Sequence, residues 1–132
     1  MISLDFFKEA EECIVPQQTA RNSALTIICH KNGGKRLRIS KAIMNADLKD
    51  VTAVSVKVKA PYIIIYEQAG GIPVSREGKD HDGAGLVYNG ALVDDVVSKL
   101  SLDFNGKSSL HFYEWDTAET EDGRKAVGFK VA

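Results

Sequence analysis

Residues 35–67 constrain the fold most, because the local pattern changes four times within this stretch, KRLRISKAIMNADLKDVTAVSVKVKAPYIIIYE. Charged and apolar residues alternate at its start, which is typical of a half-buried strand. Ser40 is a favourable helix N-cap and precedes a helix of about two turns. Residues 54–58 then alternate strictly, Pro61 interrupts them, and residues 62–66 are apolar enough for a buried strand. The stretch therefore predicts the order strand, short helix, strand, turn, strand.

Residues 86–131 repeat this pattern at a lower level of identity. When the first half is shifted by 54 positions, Ser40 falls on Asp94 and Ile43 falls on Val97. Asp94 is again an N-cap type of residue, and we expect Ile43 and Val97 to be core residues. An internal repeat of about 50 residues indicates two β-α-β-β units in one chain. We therefore predict a mainly β fold, a pseudo-two-fold barrel in which each half covers the apolar face of the other.

The length of 132 residues fits a single barrel domain over residues 21–132. Residues 1–20 precede it as an amphipathic helix, predicted over residues 3–14, and a polar linker. The predicted barrel has two halves, residues 21–67 and residues 86–132. A glycine-rich linker, residues 68–85, joins them.

Several features predict a cytoplasmic protein without a membrane partner, a metal or a cofactor. No apolar run approaches the roughly 20 residues that cross a bilayer. The first residues, MISLDFFKEAEE, are acidic and do not resemble a signal peptide. Cys13 and Cys29 lack the spacing of metal ligands, and the segment Asp80-His81-Asp82 offers too few ligands for a site.

The net charge of −1 hides an asymmetry between the halves. Residues 21–49 hold seven cations and one acid, whereas residues 91–123 hold eight acids and two cations. Such a division predicts a nucleic-acid face, or two solvated faces that attract each other or a second chain. The candidate DNA-binding residues, which contact phosphates or base edges in this prediction, are Lys35, Arg36, Arg38 and Lys41. The alternative is a solvated cationic strand that prevents aggregation.

A second candidate surface is aromatic. Tyr113 and Trp115 end one strand of the second half beside an acidic hairpin, and Phe6 and Phe7 lie on the N-terminal helix. Because tryptophan and tyrosine are common interface anchors, these four residues are candidate partner-binding residues. The alternative is that Tyr113 and Trp115 close an end of the barrel, and that the helix packs on the domain.

Residues 35–44, KRLRISKAIM, resemble the AbrB/MazE-like family of swapped-hairpin domains. Members carry a basic strand, typically followed by Ile-Pro-Lys and a short helix, and here Ser40 stands at the usual proline position. The resemblance implies a swapped-hairpin or double-psi-like barrel, usually a homodimer, that binds DNA through the basic strand. This chain departs from the family pattern because it supplies two units. The second unit has Asp94 and Asp95 where the first unit has Ser40 and Lys41.

The sequence contains no Walker loop, no Gly-x-Ser-x-Gly elbow and no Gly-Ser dipeptide, so we do not expect an enzyme. The leading prediction is a DNA-binding transcriptional regulator or antitoxin-like protein of AbrB/MazE type. The alternative is a non-enzymatic protein-binding adaptor or inhibitor that keeps the barrel without DNA recognition. DNA, a protein partner and a second copy of the chain are the partners that these two predictions name.

Overall fold

The computed structural model describes residues 3–11, 23–30 and 34–131, without the side chains of Phe6 and Phe7. Within these ranges the chain is mainly β, as predicted. The strands are β1 (Leu25–Cys29), β2 (Lys35–Ile39), β3 (Ala53–Lys59), β4 (Tyr62–Glu67), β5 (Ile72–Pro73), β6 (Ser75–Arg76), β7 (Gly85–Tyr88), β8 (Ser109–Phe112), β9 (Trp115–Thr117) and β10 (Ala126–Lys130). The helices are α1 (Leu4–Glu9), α2 (Lys41–Met44) and α3 (Gly90–Lys99).

The strands form two antiparallel five-stranded sheets. Sheet one has the order β6-β7-β2-β1-β8, and sheet two has the order β5-β3-β4-β10-β9. Neither sheet closes on itself, so the hydrogen-bonded strands of either sheet form an open surface rather than a barrel. Both sheets mix strands from the two predicted halves, because β2 pairs with β7 and β4 pairs with β10.

Alternation along the strands produces the core. In β2, Leu37 and Ile39 are fully buried, whereas Arg36 and Arg38 lie half-buried on the opposite face. The buried side chains form one cluster that draws on both halves of the chain. Its members include Leu37, Ile63, Val87, Val93 and Phe129. The halves are therefore packed together through their apolar faces.

Both predicted helices of the repeat are present, but their starts do not align at a shift of 54. Ser40 Oγ accepts from the Ile43 N–H at 3.4 Å, which confirms the first N-cap. The second N-cap is Asn89, whose Oδ1 accepts from the Leu92 N–H at 2.9 Å. Asp94 therefore lies inside α3, and its prediction as an N-cap is wrong. The N-caps differ by 89 − 40 = 49 positions.

The shift of 54 holds at the carboxyl ends of the two helices. The Leu48 N–H donates to Ile43 O at 3.0 Å, and the Leu102 N–H donates to Val97 O at 3.1 Å, which is the same bond 54 positions later. Ser40 lies 8 positions before Leu48, whereas Asn89 lies 13 positions before Leu102, so the second unit has five more residues between its N-cap and this bond. α3 is accordingly the longer helix, with ten residues, and α2 has four, which is shorter than predicted. A gap-free comparison of sequences cannot detect such an insertion.

Two other predicted segments differ. The N-terminal helix ends at Glu9, and its described side chains are exposed. Residues 12–14 of the predicted helix lie outside the described ranges. Residues 32 and 33 of the hairpin turn predicted at residues 32–34 lie outside them as well. The predicted linker 68–85 contains β5 and β6, which pair with β3 and β7. Strands of two residues are too short to show a period in the sequence. No helix in the described ranges is long and apolar enough to cross a membrane.

The β5 end of sheet two depends on a glycine. A Cβ on Gly71 would lie 2.5 Å from Val54 O and 2.9 Å from Gln68 O, which are backbone atoms. We therefore expect Gly71→Ala to lower the free energy of unfolding by about 1–3 kcal/mol, measured by urea denaturation. Gly34→Ala is the matched control, because no described heavy atom lies within 4 Å of its Cβ position. Equal midpoints for the two variants would contradict the expected steric conflict.

Candidate functional site

Two of the four predicted DNA-binding cations are paired with carboxylates. Lys35 Nζ donates to Asp94 Oδ1 at 2.6 Å, and this hydrogen bond raises the pKa of Lys35. Arg38 binds Glu77 with both nitrogens of its fork, Nε to Oε1 and Nη2 to Oε2, each at 3.1 Å. Bidentate pairs of this kind are the stronger class of ion pair. The acidic second half and the segment after β6 thus neutralise part of the basic strand.

The other two cations of this set have no ion pair with a described residue. The Arg36 guanidinium lies 5.8 Å from the centre of the Tyr88 ring, and the two residues are register partners in β2 and β7. Tyr88 is 55% exposed. Lys41 is exposed at the start of α2. Among the described residues, two of the four predicted cations are therefore paired with carboxylates, and the role of the set in DNA binding stays a prediction.

The predicted partner-binding residues are also separated. Trp115 is 43% exposed and lines a cavity of about 540 Å³ together with Ser40, Lys41 and Asn45. The structure thus brings a predicted partner-binding residue beside a predicted DNA-binding one. Tyr113 is exposed and lines a different depression, next to Lys130. The side chains of Phe6 and Phe7 lie outside the described part of the chain, and their role stays a prediction.

A polar cluster lies on the outer side of β1 and β8. Thr26 is buried, and its Oγ1 lies 2.9 Å from Ser23 Oγ and 3.1 Å from His111 Nδ1. His111 is half-buried and also approaches Ser109 Oγ at 3.4 Å. No described carboxylate hydrogen-bonds to His111. The cluster therefore lacks the group that orients the imidazole in a catalytic triad.

A basic and aromatic surface, absent from the sequence predictions, covers the outer side of sheet two. We call it the sheet-two face. Alternation buries Val54 inside the sheet, so the odd-numbered side chains of β3 point outward. The face is formed by Lys57, Lys59, Tyr62, Ile64, Tyr66, Gly128 and Lys130.

One row of the sheet-two face carries its central charges. Tyr62 is the register partner of Lys59 on one side and of Lys130 on the other. Residues paired in this way project from the same side of an antiparallel sheet, with their Cβ atoms about 5 Å apart. Tyr62 is 43% exposed. The result is an exposed aromatic ring between two lysines, here called the Lys59–Tyr62–Lys130 row.

The lysines of β3 are free of carboxylates. Neither Lys57 nor Lys59 forms an ion pair with any residue in the described ranges. Lys57 Nζ instead lies 5.6 Å from the centre of the Tyr66 ring, and the Arg124 guanidinium lies 5.1 Å from the same centre. Lys130 approaches Glu114 at 3.6 Å. On the sheet-two face, Lys57 and Lys59 thus have no carboxylate partner among the described residues, whereas Lys130 has one, as do Lys35 and Arg38 of β2.

Gly128 leaves a groove in this face. The groove has a volume of about 470 Å³, and its lining includes Lys59, Tyr62, Ile64, Asp116 and Gly128. A Cβ on Gly128 would lie 3.9 Å from Tyr62 Cδ1 and 4.0 Å from Ile64 Cγ1, at ordinary contact distance. The glycine therefore creates space rather than relieving strain. The volume is within the roughly 300–1,000 Å³ of small-molecule sites.

The groove has a cation on one wall and a carboxylate on the other. Lys59 lines the β3 side, and Asp116 lines the β9 side as the register partner of Gly128. Asp116 Oδ1 accepts from the Thr117 N–H at 2.8 Å, and Oδ2 has no partner among the described residues. One carboxylate oxygen is therefore available to accept a hydrogen bond from a ligand.

Part of the sheet-two face can be recognised in the sequence. Lys57 and Lys59 alternate with valines and are visible as the polar side of β3. Their neighbours Gly128 and Lys130 lie about 70 positions later, and only the pairing of β4 with β10 brings them together. Sequence reasoning therefore could not find the groove.

The described ranges contain no group of three or more His, Cys, Asp or Glu side chains that could hold a metal ion. No protein-family model matches this sequence, and no curated protein or solved structure matches it either.

Proposed function

We propose that this chain is a non-enzymatic nucleic-acid-binding protein that uses the sheet-two face. The observation that carries the proposal is the Lys59–Tyr62–Lys130 row. Lysines contribute salt-dependent affinity for phosphates, and an aromatic ring beside them offers a base a stacking surface. Lys57 and Lys59 form no ion pair with a described residue that a phosphate would have to displace.

The strand β2 suits this role less well. A phosphate that approaches Lys35 or Arg38 competes with a carboxylate already hydrogen-bonded to it, and Asp94 and Glu77 repel the phosphate. Arg36 and Lys41 have no such competitor among the residues that the structure describes. The predicted role as a transcriptional regulator or antitoxin of AbrB/MazE type stays a prediction beside this one.

Protein binding is the second candidate function. The exposed Trp115 beside the cavity at Lys41 favours it, since an amphipathic ring at the mouth of a depression is a common interface anchor. This surface is separate from the sheet-two face in its lining residues. The two functions can therefore be tested by different variants.

We also propose that the two sheets form one pseudo-two-fold, swapped-hairpin-like barrel. The order of strand pairing supports this when β1 is equated with β5 and β6 together, β2 with β7, β3 with β8 and β9 together, and β4 with β10. The pair β1·β2 then corresponds to β6·β7, β3·β4 to β9·β10, and β1·β8 to β5·β3. The central pairs β2·β7 and β4·β10 each correspond to themselves. Only Val74 separates β5 from β6, and only Tyr113 and Glu114 separate β8 from β9, although each pair divides between the sheets. Two bent strands would therefore join the sheets at both sides.

Salt-dependent binding tests the proposed function. The experiment compares Lys57→Gln/Lys59→Gln with the control Lys79→Gln/Lys107→Gln, which changes the net charge equally in loops that flank strands of sheet one. Affinity for a mixed-sequence, single-stranded oligonucleotide is measured by fluorescence anisotropy at several salt concentrations. We expect the first variant to flatten the slope of log affinity against log salt by about 1.4 units, at roughly 0.7 per phosphate contact.

The control should keep the slope of the wild type. Equal slopes for wild type and Lys57→Gln/Lys59→Gln would overturn the placement on sheet two. A third variant, Arg36→Ala/Arg38→Ala/Lys41→Ala, tests the original prediction; a larger loss with this variant would move the site to β2. If the wild type shows no salt-sensitive binding, nucleic-acid binding itself is wrong for this chain.

A further inference from the structure

We infer that the groove over Gly128 binds one unpaired nucleobase that carries an exocyclic amino group, so that the ligand is single-stranded and prefers cytosine to thymine. This inference rests on the proposed function and adds the class of ligand and its base preference. It is carried by three features of the groove: an aromatic wall, an available carboxylate oxygen and flanking lysines.

The aromatic wall favours a planar ligand. Tyr62 stands beside the space that the missing side chain of Gly128 leaves, and Ile64 borders the same space. A base that enters there exchanges water for contact with a ring and an aliphatic side chain. Bases in a duplex present only their edges, because their faces are stacked on each other. The groove therefore suits a base of a single strand.

The carboxylate selects among bases. Asp116 accepts hydrogen bonds and has one oxygen without a partner in the described ranges. Cytosine presents an N4 amino group and adenine an N6 amino group at the outer part of the base edge, whereas the single N3–H donor of thymine lies between two carbonyl oxygens that a carboxylate repels. A cytosine whose amino group meets Asp116 makes a hydrogen bond with one flanking acceptor at most, whereas a thymine that donates N3–H brings two carbonyl oxygens towards the carboxylate. Asp116 is thus the specificity-determining residue in this inference.

The lysines fix the strand around the groove. Lys59 lines the β3 side, and Lys130 projects from the same row beyond Tyr62. A phosphodiester backbone carries a phosphate on both sides of each nucleotide, so one base in the groove places phosphates within the field of both lysines. The carboxylate of Asp116 then meets the base edge and not the backbone.

The test uses the full chain and fluorescein-labelled oligonucleotides of ten deoxycytidines or ten deoxythymidines. We expect the wild type to bind the cytosine oligonucleotide at least about fivefold more tightly, the low end of discrimination by a base-edge contact. Asp116→Asn should reduce this preference to less than about twofold, because an amide can both donate and accept. Tyr62→Leu should weaken binding of both oligonucleotides by about fivefold or more, since it removes the stacking ring.

Gly128→Val supplies an independent test, because a β-branched side chain suits a strand and fills the groove. It should abolish the cytosine preference while leaving the salt slope set by Lys57 and Lys59 unchanged. Urea denaturation reports whether this variant folds, and Tyr62→Leu changes an exposed side chain that the core does not need. Salt-dependent binding with equal affinity for both oligonucleotides and no effect of Tyr62→Leu would overturn this inference alone. Absence of any nucleic-acid binding would overturn the proposed function as well.

Discussion

Phe129→Ala is expected to lower the free energy of unfolding by about 3–5 kcal/mol, the range for removal of a buried aromatic ring. Phe129 is 0% exposed and is the largest fully buried side chain in the described ranges. It lies in β10, between its register partners Ile63 in β4 and Trp115 in β9. Removing the ring deletes apolar contacts and leaves a cavity in the cluster that both halves share. Since domains are stable by only about 5–15 kcal/mol, this variant is expected to be near its unfolding threshold.

Phe104→Ala is the matched control for this prediction. It deletes the same atoms at a half-buried position on the edge of the cluster. Urea denaturation followed by circular dichroism measures both variants, and the shift in midpoint at constant slope gives the change in stability. We expect Phe129→Ala to shift the midpoint clearly further. Equal shifts would show that the interior at β10 does not have the packing described.

Ile43→Ala is expected to cost about 2–5 kcal/mol, because Ile43 is 1% exposed and anchors a helix of one turn. α2 has two buried side chains, Ile43 and Met44, and each holds the helix against the core. Val97→Ala should cost less than about 2 kcal/mol, since Val97 is half-buried and the buried face of α3 is formed by Val93 and Val96.

The same denaturation experiment distinguishes these two variants. The sequence predicts equal core roles for Ile43 and Val97, whereas the structure predicts a larger loss for Ile43. A larger midpoint shift for Val97→Ala would contradict the burial described for α3. Val93→Ala is the matched comparison within the helix, because it removes the same atoms from a fully buried position.

Local patterns in the sequence predicted the parts of the fold that local forces control. The alternation of Leu37 and Ile39 with arginines predicted β2, and the strict alternation of residues 54–58 predicted β3. The Ser40 N-cap was also confirmed. This hydrogen bond joins a side chain to a backbone N–H only three residues later, so it depends on local sequence and not on the tertiary fold. The same reasoning misplaced the second helix start at Asp94, since a gap-free comparison misses an insertion of five residues.

The sequence by itself determined the mainly β character, the buried faces of β2 and β3 and the presence of two short helices. Each of these follows from side chains within a few positions of one another. Only the tertiary structure decided which cations stay free, because the carboxylates that neutralise Arg38 and Lys35 lie 39 and 59 positions away. It also decided that Tyr62 stands between Lys59 and Lys130, because the pairing of β4 with β10 results from burying Ile63, Ile65, Val127 and Phe129 in one core.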